Sequence, residues 1–381
     1  MPVVHERPTA SRRPAADLVA RLCQAAAEHR AHGEERSCLH PRVQAMLAAS
    51  PLPRAALPAG CGGLEWTAPQ IMDAVRAVAA ADPSAGWVAA IHAPAGAFLS
   101  RAEPALARVL AGAAPVIGGS SVPAGTASPQ HDGVRVRGRW PLVSGAPGMT
   151  LAALAAPLDG AGGNALRWWL VPRGKLAVED DWDAFGLRGS ASCSVVCDAV
   201  VPADHSIRLS DPPLVDAPLF RYPLYGLLAG CIAVVAQGVA ERALAAFARL
   251  ARTAGTRHDP RPLAAQPAAQ EAFAAADGRV RAAAGALAAA AADAWSSAAE
   301  GEVPVVLRAR LRLACCDMAE AAEHACRRLF DAAGSAALHR CHELEGCWRD
   351  AVAVSRHALV AGHGRRIAGN AVLASIASAD L

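Results

Sequence analysis

The chain has few aromatic residues, 4% Phe, Trp and Tyr combined, and no surplus of either charge, since 37 Lys and Arg against 34 Asp and Glu leave a formal +3. The basic residues are spread along the chain instead of forming a block, so no nucleic-acid footprint is expected. The N-terminal stretch MPVVHERPTASRRPAAD lacks the apolar core of a signal peptide. The longest apolar run, Leu224 to Ala240, contains Gln237 and stops at Glu241, short of the ~18 residues of a membrane span. These absences lead to the expectation of a soluble, cytoplasmic protein with no membrane or nucleic-acid partner. There is no P-loop and no G-x-S-x-G elbow, so phosphoryl transfer and serine hydrolysis have no motif support. Gly362, Gly364 and Gly369 in GHGRRIAG imitate a dinucleotide fingerprint, but the third glycine comes too late and no strand precedes them.

Cysteine is plentiful, with eleven residues. In a long chain without an export signal these are expected to stay thiols. Cys193 and Cys197 lie four apart, not at the C-x-x-C redox spacing. His339, Cys341, His342 and Cys347 have the ligand chemistry zinc prefers but no recognised finger spacing, so no metal site is expected.

A hydrophobic fraction of 53% and a charged fraction of 19% suit a compact chain, and 381 residues are enough for two or three sub-domains around a large core. Helical spacing of apolar residues predicts helices over 17–29, 41–47, 68–81, 84–99 and 104–110, with Asp82 as a side-chain cap before Pro83 and Ser84. Between Pro115 and Asp211 the text changes to short β-type runs such as VRVRGRW and SVVCDAVV, separated by Gly, Pro and Asp turns. Long helical runs return over 224–251, 264–300, 303–334 and 348–377, as in a four-helix bundle. The expected division is a helical domain over 1–113, a β-domain over 114–215 and a helical bundle over 216–381, an α+β and mostly α architecture.

Several segments in this order resemble one family. ADPSAGWVAAIH (81–92), GGSSVPAG (118–125), GRWPLVSG (138–145), WDAFGLRGSASCSVV (182–196), TRHDPRPLAAQ (256–266) and LFDAAGSAAL with CWRDAVAVSRH (329–357) are similar to segments of acyl-CoA dehydrogenase-fold flavoproteins. Within that fold they resemble the two-component, group D flavin-dependent monooxygenases. The resemblance implies the oxygenase component: reduced flavin from a separate reductase, O2, a C4a-hydroperoxyflavin, and hydroxylation or N/S-oxygenation of a small organic substrate in a homotetramer. FAD is expected over FMN because Arg257 would reach a pyrophosphate.

The same resemblance implies roles for particular residues. His92 would face the substrate, with Ser120 as a neighbouring hydroxyl contact. His357 would occupy approximately the place of the catalytic glutamate that follows the Arg-Asp pair in acyl-CoA dehydrogenases. An imidazole titrating near neutrality suits hydrogen bonding or deprotonation of an acidic substrate better than strong-base work. Ser144 would hold the flavin near its reactive nitrogen and Trp140 would form a wall, while Arg188, Ser190 and Arg257 would contact the cofactor. The expected cavity lies between sheet and bundle. Two other readings fit less of the chain: an acyl-CoA dehydrogenase with a base on another helix, and a flavin-free, redox-silent member that binds a metabolite. SGAPGMT after Val143 departs from the family's usual continuation after the Ser-Gly pair.

Overall fold

The computed structural model describes residues 12–112, 115–162, 166–255, 259–340, 342–374 and 381. Five helices come first: α1 (Arg12–Arg36), α2 (Pro41–Ala49), α3 (Ala68–Ala81), α4 (Pro83–Ala95) and α5 (Pro104–Ala111). Local chemistry sets their ends. Thr67 and Gln70 form a reciprocal capping box at the start of α3, satisfying two otherwise orphaned N–H groups. The Asp82 carboxylate accepts from the Ser84 N–H at 2.9 Å and starts α4. α4 is buried on nearly every side, and a side chain at Gly86 would collide with the backbone of Ala79 on α3, so glycine permits the two helices to approach closely.

The strands follow as β1 (Ile117–Ser120), β2 (Gly125–Gln130), β3 (Gly133–Val143), β4 (Leu151–Pro157), β5 (Leu166–Pro172), β6 (Leu176–Val178), β7 (Cys193–Val201) and β8 (Ser206–Ile207). They form two four-stranded sheets, ordered β1-β4-β5-β8 and β2-β3-β7-β6. β4 shows how the period of two is used. Ala152, Leu154 and Ala156 face the core between the sheets, while Leu151, Ala153 and Ala155 face the helical layer of Ala95, Leu99 and Ala107. A bulge interrupts β3 between Trp140 and Val143, leaving Leu142 at φ +60° and exposed.

Helices return as α6 (Pro218–Arg221), α7 (Leu224–Leu250), α8 (Pro267–Glu300), α9 (Val305–Ala333), α10 (Glu343–Ser355) and α11 (Gly362–Ala374). α7 is long and apolar enough to cross a membrane by length and composition, yet 72% of its most apolar window is buried inside the chain's own core. The single helix expected over 348–377 is two helices. Between them, Val360 and Ala361 N–H groups both turn back to the His357 carbonyl. The head group of Arg312 and the sulfur of Cys316 leave no room for a side chain at Gly364. Tertiary packing against α9 therefore decides the break, and His357 sits in a turn instead of on a helix face.

The turn before β7 is fastened to the bundle by α10. The Asp350 carboxylate on α10 accepts the Leu187 N–H at 2.6 Å, and Arg349 donates to the Phe185 carbonyl at 2.9 Å while pairing with Glu345 and Glu34. A side chain at Gly186 would strike the Arg349 carbonyl. Gly186→Ala is therefore expected to cost about 1–3 kcal/mol of stability by overpacking against backbone, measured by urea unfolding; an unchanged midpoint would show that this turn is not held against α10. Burial pushes Asp350 up to about 7, so the folded chain keeps this proton more tightly than the unfolded chain, where a carboxyl titrates near 3.9. Stability should fall as pH rises between about 4 and 7 on account of this group. Asp350→Asn, which still accepts from Leu187, should flatten part of that decline; the remainder belongs to Asp82, which burial raises to about 6.

Candidate active site

Three of the residues expected at the site, Ser144, Ser190 and His357, gather around one tryptophan to which the sequence assigned no role. Trp87 on α4 donates its indole N–H to Ser144 Oγ at 2.9 Å, and its ring meets that of His357 edge-on, centroids 5.4 Å apart. Ser144 Oγ lies 2.8 Å from Ser192 Oγ, and Ser192 Oγ lies 2.8 Å from Ser190 Oγ. All three hydroxyls are buried. An indole N–H can only donate, so Ser144 must accept from it. The two hydroxyl-to-hydroxyl bonds consume two of three hydrogens. One hydrogen is left over, at Ser190 if the chain points away from Trp87, at Ser144 if it points back, and at Ser192 if both neighbours donate to it. Among the described residues no acceptor takes it, so it is available to a ligand.

His92 lies five residues after Trp87 and is fully enclosed. Its Nδ1 is 2.8 Å from the Ile117 carbonyl on β1. A carbonyl only accepts, so Nδ1 carries the proton and Nε2 presents a lone pair. Nε2 faces Gly145, where a side chain would collide with it and where φ is +66°. Burial holds the His92 pKa below the usual imidazole range. Burial, and then the charge of Arg312, lower His357 to about 4, and its Nδ1 accepts from the Leu359 N–H at 3.2 Å. Both imidazoles are therefore neutral at pH 7.

A cavity of about 30 Å³ is bordered by His92, Val88, Gly145, Ser190, Leu39 and Gln44 together with other apolar groups, and no carboxylate lines it. That volume is the room of roughly one water molecule. The cavity lies between the N-terminal helices and the β-domain, not between sheet and bundle as expected. His92 borders it; His357 does not, but packs on Trp87.

Other expectations are placed differently. Trp140 is fully buried between the two sheets, and its N–H donates to the Ala155 carbonyl at 2.8 Å; it fills the sandwich core and forms no wall of the cavity. Gly125 and Gly138 lie against its ring, so its size is absorbed by the sheet itself. Arg188 is consumed in holding α1 to the Gly186–Ser190 turn, donating to the Glu34 carbonyl, to Asp183, to the Ala184 carbonyl and to Ser37 Oγ, so it is not free for a cofactor. Ser120 ends β1, three residues beyond Ile117, and its Oγ accepts from the Val122 N–H at 3.3 Å. Arg257 lies outside the described residues, as does Cys341. Among the described residues no cluster of three or more His, Cys, Asp or Glu is arranged to hold a metal ion, and the ten described cysteines are unbridged.

Helical domain, two-sheet β-domain and helical bundle, joined at a turn held by an Arg-Asp pair, define an acyl-CoA dehydrogenase-like fold. Residues 230–361 match the family model described as acyl-CoA dehydrogenase, C-terminal domain. Indole-3-acetate monooxygenase of Acinetobacter baumannii is 28% identical over 312 residues, 81% of this chain and 80% of that protein. XiaF from Streptomyces, solved with FADH2 and glycerol, superposes with a TM-score of 0.84 at 26% identity, covering 96% of this chain and 98% of that one. The 3-HSA hydroxylase of Rhodococcus sp. RHA1 superposes with a TM-score of 0.87 at 24% identity, covering 96% and 99%. The chain thus has an acyl-CoA dehydrogenase-like fold with an acyl-CoA dehydrogenase C-terminal domain over residues 230–361, and its relatives are oxygenase components of flavin-dependent monooxygenases.

Trp87 could have been found from sequence only by noting that an indole inside a helix buried on all sides needs an acceptor from another segment; nothing in the spacing names Ser144 as that acceptor. Trp87→Phe and Ser192→Ala should each cost about 1 kcal/mol by leaving a buried hydroxyl short of a partner. Because both act on one hydrogen-bonded chain, the double variant should cost measurably less than the sum. Strict additivity in urea unfolding would show that the hydroxyls are not coupled.

Proposed function

We propose that this protein is the oxygenase component of a two-component flavin-dependent monooxygenase, taking reduced flavin from a separate reductase and inserting one atom of O2 into a small organic substrate. The observation that carries this reading is the pairing of two neutral imidazoles with a buried hydroxyl chain where an acyl-CoA dehydrogenase needs a carboxylate base. No carboxylate borders the cavity, and the turn after Arg349 and Asp350 offers His357.

The donor set fits a flavin. The spare hydrogen of the Ser144–Ser192–Ser190 chain suits the hydrogen-bond-accepting edge of an isoalloxazine, and glycine at 145 lets a ligand approach the backbone. Reduced flavin, when bound, supplies the two electrons with which O2 is activated. The chain's own residues do the rest. Ser144, Ser192 or Ser190 holds the ligand edge, whichever carries the free hydrogen. His92 Nε2 accepts a proton from an acidic substrate group, and its Nδ1–H bond to the Ile117 carbonyl steadies the imidazolium that results. His357, neutral far below physiological pH, packs on Trp87 behind the pocket without bringing a charge near it. The walls of Val88, Leu39 and Leu47 exclude water, which guards an activated oxygen species against wasteful release of peroxide. The cavity has to widen to admit an aromatic substrate. We assign the cofactor as FAD, with Arg257 toward its pyrophosphate and Ser120 toward the substrate, in a homotetramer in the cytoplasm.

The test is to mix the purified protein anaerobically with chemically reduced FAD or FMN, admit O2, and follow the absorbance. A transient distinct from oxidised flavin, lasting longer than in protein-free buffer, is expected, and longer with FAD than with FMN. Immediate reoxidation with and without candidate substrates would remove the monooxygenase reading. His357→Ala should retain reduced-flavin affinity within about 5-fold, roughly the weight of one neutral hydrogen bond, and lose product formation. Its wild-type rate should show no acid limb from this group until about pH 4, because the lowered pKa leaves the free base in place above that point.

A further inference from the structure

One buried charge has no role in the hydroxyl chain or the cavity. Arg312 on α9 is 1% exposed, yet its Nε and Nη1 have no hydrogen-bond partner, and no carboxylate among the described residues pairs with it. Every other fully enclosed ionic group described above has a partner: Arg349 has Glu34 and Glu345, and Asp350 has the Leu187 N–H. An uncompensated buried guanidinium is strongly destabilising, so a chain that retains one has a use for it or a partner not yet bound.

The surroundings indicate what that partner is. The side chain lies under the turn between α10 and α11, with Cys316 one helical turn along α9 and Gly364 facing it. A side chain at Gly364 would come within 2.9 Å of Arg312 Nε and 2.8 Å of Cys316 Sγ, so glycine lets the head group lie directly against the backbone of the turn. The turn opens with His357, whose imidazole feels the guanidinium charge and packs on Trp87. Arg312 thus stands beside His357, with Nε and Nη1 unpartnered among the described residues. The planar fork of a guanidinium matches an oxyanion with two acceptor oxygens.

We propose that Arg312 receives the carboxylate of an anionic substrate, making this a monooxygenase for an acid and not for a neutral ring compound. The alternative source of the same chemistry is a flavin phosphate. The inference rests on the monooxygenase reading for calling the carrier of the anion a substrate; the anion affinity itself is measured without turnover.

The experiment is calorimetric titration of the full-length protein with indole-3-acetate, with indole-3-acetamide as its neutral counterpart, and with inorganic phosphate as competitor. The acid should bind about 10- to 100-fold more tightly than the amide, the weight of a charge-assisted pair. Arg312→Met should abolish that difference while raising Tm, because it removes an unpaired charge at similar volume. Arg312→Lys should keep part of the preference. Equal binding of acid and amide, failure of the acid to bind, or a lowered Tm in Arg312→Met with the preference intact would each overturn the proposal. Phosphate that competes with FMN but not with indole-3-acetate would assign the guanidinium to the flavin and overturn it as well. A normal oxygen-dependent flavin transient alongside any of these failures would leave the oxygenase reading standing and remove only the substrate class.

Discussion

Arg349 and Asp350 hold the turn from Phe185 to Leu187 against α10, and the arrangement of the site depends on that fastening. The turn leads directly into Ser190 and Ser192. If it moved away from the bundle, the hydroxyl chain would lose its register with Trp87 on α4, and His357, which follows the same helix, would lose the ring it packs against. Both groups are enclosed and each holds the turn through its own bond, Asp350 by accepting the Leu187 N–H and Arg349 by donating to the Phe185 carbonyl while paired with Glu34 and Glu345. Ser84 adds a second tie, since its Oγ accepts the Gly189 N–H at 3.1 Å beside the close backbone approach of Gly33. Helical domain, β-domain and bundle thus meet at one short stretch of chain.

Burial gives the site its chemical character. An imidazole in water is partly charged near neutrality, whereas His92 and His357 are enclosed, and desolvation penalises the charged form of each. Their protons are consequently positioned by hydrogen bonding instead of being exchanged with solvent. The Ile117 carbonyl settles the tautomer of His92, and the Leu359 N–H occupies one nitrogen of His357. The same low-dielectric surroundings make the leftover hydrogen of the serine chain and the unpartnered guanidinium of Arg312 costly to leave unsatisfied. These two groups, with the lone pair on His92, are the places where a ligand would gain most by binding.

The order of helices, strands and helices was legible because apolar periodicity and turn residues are local signals. The span of α3 and the Asp82 cap came directly from them. Trp140 and Arg188 were less legible. Each has the right residue type at the right place in a familiar segment, yet one is enclosed by Gly125 and Gly138 between two sheets, and the other is spent on carbonyls and side chains of α1 and its own turn. Side-chain direction in those cases is decided by partners distant in sequence. The break between α10 and α11 has the same origin: nothing in SRHALVAGHG forbids a helix as strongly as the packing of Gly364 against α9 does.

From its residues alone the chain determined its class of fold and its kinship, since these follow from local pattern and from motifs in order along the sequence. Tertiary structure alone decided that Trp87 joins Ser144 to His357, that the cavity lies between the N-terminal helices and the β-domain, and that Arg312 is buried without a counter-charge among the described residues. Those relations pair segments dozens to hundreds of residues apart, and only the folded backbone sets the distances and exclusion of water on which their chemistry depends.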